Sequence, residues 1–193
     1  MGYSEDKLSK KEKQAERSHL AAKKQKLKSM KSFLMWGLLL VVVIGGLSFI
    51  ISKATVERQG VHHTIQGSEH IVVGGAHAAY TTNPPTSGDH HANAARWGIY
   101  DSSLPDEQLV HNLEHGGIWI SYKTLGEGEL AQLEDFANDH SQSVILTPRA
   151  ANDSNIAFTS WGRLLEMDVL DMGKLELFYK GNKNRSPEPL AGR

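Results

Sequence analysis

The chain has 193 residues with a formal net charge of −1, which leaves room for one ordinary domain plus an accessory segment. It contains no cysteine, so disulfide frameworks, iron–sulfur clusters, cysteine nucleophiles and thiolate zinc sites are excluded. The near-neutral total conceals a division, because residues 1–32 carry a charge of +6 and residues 52–193 carry a charge of −7.

Between these two parts, residues 33–51 form a run of nineteen uncharged, mostly apolar residues. As a helix this run is about 28 Å long, which matches the hydrocarbon core of a bilayer. We therefore predict a single transmembrane helix that acts as a signal anchor. A cleaved signal peptide is the alternative, because residues 52–54 (Ser-Lys-Ala) resemble a cleavage site.

The tail before this run, residues 1–32, holds ten Lys/Arg, which predict a cytoplasmic N-terminus and an extracytoplasmic C-terminal part at the cell membrane. The tail has no aromatic or glycine pattern that would predict nucleic-acid binding. We expect a solvated, disordered positive tail that serves topology only, and a helix beside anionic lipid headgroups is the alternative. The expected partner of the anchored protein is the lipid bilayer. A linker is predicted over residues 52–59, followed by an extracytoplasmic domain over residues 60–190. A domain of that size buries enough apolar surface to fold without disulfides.

The predicted domain contains both strand-like and helix-like segments. Strands are predicted over residues 69–73, 118–122, 144–147, 156–161 and 164–169, helices over residues 104–115 and 127–140, and either a short helix or an edge strand over residues 172–180. Residues 83–90 are a loop, because Pro84 and Pro85 cannot continue a helix or a central strand. Strands and helices do not alternate regularly, so we predict one compact domain of the α+β class.

Histidines are concentrated after the apolar run: nine of the ten lie there, and eight fall within residues 62–115. These eight are His62, His63, His70, His77, His90, His91, His111 and His115. Imidazole nitrogens suit Zn²⁺ and Cu²⁺, whereas Ca²⁺ and Mg²⁺ prefer oxygen ligands. The concentration of histidines therefore predicts a site for a divalent transition metal, zinc or copper.

His111 and His115 lie four residues apart on a predicted helix, so their rings project from one face and can meet at one ion. Glu114 lies on or beside that face, where its carboxylate is expected to bind the metal, to act as a base on metal-bound water or to hold an imidazole in place. His90 follows the proline-stiffened loop at residues 84–88, which is a rigid support for a ligand. The alternative for the helix pair is that both histidines cap the helix C-terminus, where positive charge is favoured, and bind no metal.

Other side chains suggest competing chemistry. Residues 111–115 match the H-x-x-E-H pattern of one class of metalloproteases, so a metal-dependent hydrolase is an alternative. Ser87 would be a nucleophile only with a histidine base beside it. The sequence Thr-Ser-Gly at 86–88 is more typical of a turn. Met167 and Met172 are candidate ligands for reduced copper, although methionines in apolar segments more often pack in a core. We expect His62, His63 and His91 to be solvated.

Several motifs occur in a fixed order along the domain. They are Q-G-S-E-H at 66–70, Tyr80, N-P-P-T-S-G-D-H at 83–90, G-I-Y at 98–100, V-H-N-L-E-H-G at 110–116, Tyr122, L-T-P at 146–148, W-G at 161–162 and P-E-P at 187–189. Over about residues 57–190 this order resembles the prokaryotic membrane-anchored family of domain of unknown function 3105 (DUF3105). The resemblance implies that His70, His90, His111, Glu114 and His115 belong to the family's pattern, and it implies no activity.

We therefore predict a metal-binding extracytoplasmic domain with His70, His90, His111 and His115 as ligands and Glu114 among or beside them. Four bound imidazoles leave no open position and favour a carrier or structural role over catalysis, whereas three leave room for water and metal-assisted hydrolysis. The rival hypothesis is a metal-independent recognition module, in which the same side chains form a buried hydrogen-bond network. No particular protein partner is predicted.

Overall fold

The computed structural model describes residues 26, 28, 30, 31, 33–46 and 57–192. The chain divides into two compact units, Met1–Thr55 and Val56–Arg193. In the first unit, residues 33–46 form helix α1.

The apolar side chains of α1 are exposed, for example Phe33 at 80% and Val41 at 67%. Among the described residues, no helix combines the length and the apolar character that crossing a bilayer requires. Residues 47–51 of the predicted transmembrane segment lie outside the described residues, as do most of the basic tail and residues 52–56 of the predicted linker.

The second unit is a mixed α+β domain, as predicted, and its main sheet has six strands. Its helices are α2 (Asp106–Glu114), α3 (Glu127–Asp139) and α4 (Met172–Asn182). Its strands are β1 (Val61–His62), β2 (His70–Ile71), β3 (His90–His91), β4 (Gly98–Ile99), β5 (Ile118–Tyr122), β6 (Val144–Pro148), β7 (Ile156–Ser160) and β8 (Arg163–Met167).

The main sheet has the strand order β1-β8-β7-β5-β6-β4. Strands β4 and β5 run parallel to β6, and the other neighbouring pairs in this sheet are antiparallel. Strands β2 and β3 form a separate parallel pair. This small pair carries two of the candidate ligands, so its register decides which side chains meet.

Alternation along the central strands gives the main sheet two apolar faces. On one face, Ile120 of β5 packs in a cluster with Leu133 of α3. On the other face, Trp119 of β5 packs with Leu109 and Leu113 of α2. The sheet therefore holds α2 through the apolar residues of the helix. This helix carries His111 in its last turn and Glu114 at its last position, and His115 follows directly after it.

The carbonyl groups at the end of α2 accept hydrogen bonds from a segment much later in the chain. The Glu188 N–H donates to the carbonyl of Glu114 at 3.1 Å, and the N–H groups of Leu190 and Ala191 donate to that of His115 at 3.0 and 2.9 Å. These bonds satisfy acceptors that a helix end leaves without partners inside the helix. We call residues 184–191 the C-terminal strap.

The longer predicted elements agree with the structure to within two residues at most ends. The ambiguous segment after residue 171 is a helix, and the Asp171 carboxylate caps it by accepting a hydrogen bond from the Lys174 N–H at 3.0 Å. The predicted strand over residues 69–73 is reduced to β2. The two-residue strands β1, β3 and β4 were not predicted.

Candidate metal centre

Two candidate ligands meet because β2 pairs with β3. The register sets His70 opposite His90, and their ring centroids are 5.0 Å apart. The His90 N–H donates to the carbonyl of Glu69 at 3.0 Å, and the Gly88 N–H donates to that of Gly67 at 3.2 Å. Backbone hydrogen bonds therefore hold together two segments that are twenty residues apart in sequence.

The loop before β3 is buried and is held by specific side chains. The Tyr80 hydroxyl donates to the carbonyl of Asp89 at 2.6 Å, and Ser87 Oγ accepts a hydrogen bond from the Gln66 N–H at 3.1 Å. Gly88 has a φ of +126°, and a Cβ there would lie 2.8 Å from the Tyr80 ring. Ser87 thus has a structural contact in the turn, and this contact does not support its alternative role as a nucleophile.

Helix α2 contributes His111 and Glu114, which are each 5% exposed, while His90 is fully buried. His90 Nδ1 lies 2.7 Å from the carbonyl oxygen of Gly88, and His111 Nδ1 lies 2.7 Å from that of His91. A carbonyl oxygen only accepts, so each Nδ1 carries a proton, and the neutral ring has its lone pair on Nε2. Histidines that bind a metal through Nε2 commonly have this arrangement.

Three buried side chains and one exposed side chain bring their ligand atoms close together. One ligand atom from each of His70, His90, His111 and Glu114 lies within 4.8 Å of the others. Glu114 Oε2 is 3.0 Å from His90 Nε2 and 3.7 Å from His70 Nε2. We call these four residues the histidine–glutamate cluster.

The contact between His90 and Glu114 brings together two groups that both offer lone pairs when the imidazole is neutral. Two such acceptors 3.0 Å apart are stable only when a proton or a cation lies between them. Within the described residues, the ion-pair contacts of Glu114 are to His70 and His90, with no lysine or arginine among them. The donor set therefore fits a cation, and it fits zinc or copper better than calcium.

The environment of His111 favours the neutral form of its imidazole. Burial lowers the pKa of His111, although the hydrogen bond to the His91 carbonyl opposes this shift. The neighbouring rings of His115, His90 and His70 add to the lowering. The imidazole of His111 consequently stays neutral at a lower pH than an exposed histidine does.

His115 contacts the cluster at one member. Its Nε2 lies 2.7 Å from His111 Nε2, and its Nδ1 lies 3.6 Å from the Glu188 carboxylate in the C-terminal strap. Because His111 Nε2 holds a lone pair, His115 donates this hydrogen bond. Among the described residues, the group whose ligand atoms converge includes Glu114 and not His115. The interpretation of His115 as a ligand stays a prediction.

A polar network outside the cluster holds the elements that carry it. Arg149, 9% exposed, forms two bonds with Asp106 at the start of α2, from Nε to Oδ1 at 2.9 Å and from Nη2 to Oδ2 at 2.6 Å. Its Nη1 also donates to the side-chain oxygens of Asn83 at 2.6 Å and Asn152 at 3.0 Å. One guanidinium therefore joins helix α2 to the loop that leads to β3. Sequence reasoning missed Arg149, since no local motif marks it.

The remaining candidates lie elsewhere. His77 Nε2 contacts the Glu107 carboxylate at 3.2 Å, and His62 is exposed on β1. The expectation that His91 is solvated is wrong, because it is 8% exposed and its carbonyl holds His111. Met167 and Met172 pack against the apolar cluster of α3 and α4, which supports their interpretation as core residues.

A family model described as "Protein of unknown function (DUF3105)" matches residues 72–193, well over half of the chain. The matched range contains His90, His111, Glu114 and His115, and it begins two residues after His70. Searches of curated proteins and of solved structures gave no match.

Proposed function

This chain belongs to the DUF3105 family of proteins of unknown function, and we propose that its α+β domain binds a transition-metal ion, zinc or copper, through His70, His90, His111 and Glu114. The observation that carries the proposal is the 3.0 Å approach of His90 Nε2 to the Glu114 carboxylate, with His90 Nδ1 bonded to a backbone carbonyl. A bound cation satisfies both lone pairs at once. It also compensates a buried carboxylate whose ion-pair contacts, among the described residues, include no lysine or arginine.

The composition of the cluster favours binding over catalysis. Three imidazoles and one carboxylate from the chain itself are enough to fill a four-coordinate shell around zinc, and a filled shell is typical of sites without a catalytic water. A bound ion would act there as a strong local positive charge that holds β2, β3 and α2 together. The H-x-x-E-H hydrolase alternative requires Glu114 to be free of the metal, and its contact with His90 does not favour that role.

The rival function is a metal-independent recognition module. It is favoured by the hydrogen bond between His111 and His115, which gives the His111 lone pair a partner without any metal. In that case a proton rather than an ion lies between His90 and Glu114. The acidic domain would then suit a cationic partner, since its residues carry more Asp/Glu than Lys/Arg.

Metal content separates the two functions. We expect the purified full-length chain, after exposure to Zn²⁺ or Cu²⁺ and extensive dialysis, to retain about one equivalent of one of these ions. Elemental analysis of the dialysed protein measures this directly, and a parallel sample exposed to Ca²⁺ controls for non-specific retention. Less than roughly a tenth of an equivalent of either transition metal would exclude the proposed site and leave the hydrogen-bond network as the better account.

We also propose that residues 33–51 anchor the protein in the cell membrane, with residues 1–32 in the cytoplasm and the metal-binding domain outside. The nineteen uncharged residues and the +6 tail support this topology. So do the exposed apolar side chains on α1, which would be unfavourable in water.

Alkaline extraction of membranes tests the anchor. We expect the wild-type chain to stay in the membrane pellet at high pH, because an embedded helix is not removed by breaking ionic contacts. The double substitution Leu40→Lys, Val43→Glu puts two charges into the apolar run and should move the protein to the supernatant. The matched substitution Val61→Lys, on exposed strand β1, should have no such effect. Release of the wild-type chain would contradict the anchor, and loss of an N-terminal epitope from the mature protein would indicate cleavage.

A further inference from the structure

His70 differs from the other members of the histidine–glutamate cluster in exposure. Its side chain is 50% exposed, whereas those of Glu114 and His90 are 6% and 0% exposed. Within the described residues, its ring contacts are with Glu114, His90 and His111 themselves. The rings of His90 and His111 are in addition held by backbone carbonyls. His90, His111 and Glu114 are therefore held within the domain. His70 lies between them and the solvent.

Apart from its pairing with β3, the backbone around His70 has few contacts that hold it. Strand β2 has only two residues, and glycines with φ of +129° and +76° stand before and after it at Gly67 and Gly74. The next two residues, Val72 and Val73, are 78% and 82% exposed and so contribute little packing. A segment with few buried contacts opens locally at low free-energy cost. Among the described residues, moving the His70 ring outward breaks its 3.7 Å contact with Glu114 and its ring contacts with His90 and His111, whereas moving His90 or His111 breaks a buried hydrogen bond.

We propose that His70 is the exchange ligand of the centre: the metal enters and leaves on the side that the His70 ring covers, when an incoming donor ligand takes the coordination position of His70. This inference rests on the proposed metal-binding function. The bond between the metal and His70 Nε2 breaks as the bond to the incoming donor forms, no electron is transferred, and the freed imidazole returns to solvent. His90, His111 and Glu114 hold the ion during the replacement. The centre then keeps its metal in the absence of a competing ligand and passes it on when one arrives.

The dependence of the metal-transfer rate on chelator concentration tests this inference. The full-length chain is loaded with whichever of Zn²⁺ and Cu²⁺ it binds and is mixed with excess 4-(2-pyridylazo)resorcinol, whose absorbance reports transfer. Because the chelator attacks before the metal leaves, the wild-type rate should rise in proportion to chelator concentration. In His70→Ala the position is already open, so transfer at a fixed chelator concentration should be faster by about tenfold or more. His62→Ala, which removes an exposed histidine outside the cluster, should transfer at the wild-type rate.

The outcomes distinguish this inference from the proposed function. A wild-type rate that does not depend on chelator concentration, or a His70→Ala rate equal to that of wild type, overturns the exchange role while leaving metal binding intact. Complete loss of binding in His70→Ala, with the far-UV circular dichroism unchanged, overturns it as well, because His70 would then be indispensable for retention. A wild-type chain that holds no metal overturns both proposals.

Discussion

Replacing His111 with alanine is expected to reduce the bound Zn²⁺ or Cu²⁺ from about one equivalent to below a tenth, a loss of affinity of more than about a hundredfold. The substitution removes a proposed ligand and the only ring that bonds to the His91 carbonyl among the described residues. Among the described residues, the converging group that remains is His70, His90 and Glu114, which leaves the proposed centre one donor short. Elemental analysis after dialysis, together with a metal titration, measures the loss.

The matched control is His77→Ala, which removes a half-buried, hydrogen-bonded histidine outside the cluster. It should retain the wild-type metal content. Thermal unfolding of both variants without metal shows whether His111→Ala still folds. Full metal retention by a folded His111→Ala chain would mean that the ion binds elsewhere, and the assignment of the cluster would be wrong.

Of the substitutions considered, Arg149→Met is expected to reduce stability most, lowering the free energy of unfolding by about 3 kcal/mol. Methionine approximates the aliphatic part of arginine but leaves the Asp106 carboxylate, Asn83 and Asn152 without their shared donor. Each is a polar group that loses a buried or partly buried hydrogen bond, and this costs more than an exposed ion pair would. Urea unfolding followed by circular dichroism measures the change.

Lys180→Met is the matched comparison, since Lys180 forms an exposed pair with Glu176 one helical turn away on α4. Pairs of this kind contribute less than about 0.5 kcal/mol, so this variant should unfold close to wild type. Equal effects of the two substitutions would show that the Arg149 network does not hold the start of α2. Because the network lies outside the cluster, metal affinity should fall less in Arg149→Met than in His111→Ala.

The part of the candidate site that sequence predicts best is the part with local periodicity. Helix α2 is recognisable from its acidic first turn and its glycine stop, and the spacing of His111 and Glu114 places both side chains on one buried face. The same spacing rule brings His115 close to His111, but the contact between them is a hydrogen bond, with the two Nε2 atoms 2.7 Å apart. Spacing therefore predicts proximity, but it does not tell which neighbour binds an ion and which donates a hydrogen bond.

The remainder of the site depends on contacts that have no periodicity. His70 is positioned by a two-residue strand paired with another two-residue strand, and such short segments carry neither an alternating pattern nor a turn signal. Only the resemblance to DUF3105 selected His70 from the other histidines, and the family match covers the domain from residue 72 onward. Arg149 was missed for the same reason, because the partners that make it important are far away in sequence.

The C-terminal strap has a consequence for when the centre becomes complete. During synthesis all four candidate donors, from His70 to Glu114, leave the ribosome before the strands β5 to β8 and well before the strap. Until residues 184–191 arrive, the last carbonyl groups of α2 lack their hydrogen-bond donors, and the sheet that holds the helix is unfinished. The nascent chain thus contains all four candidate donors before the sheet and the C-terminal strap that position them have formed. Under the proposed function, the metal is therefore acquired by the finished domain, after translation, and not by the emerging chain.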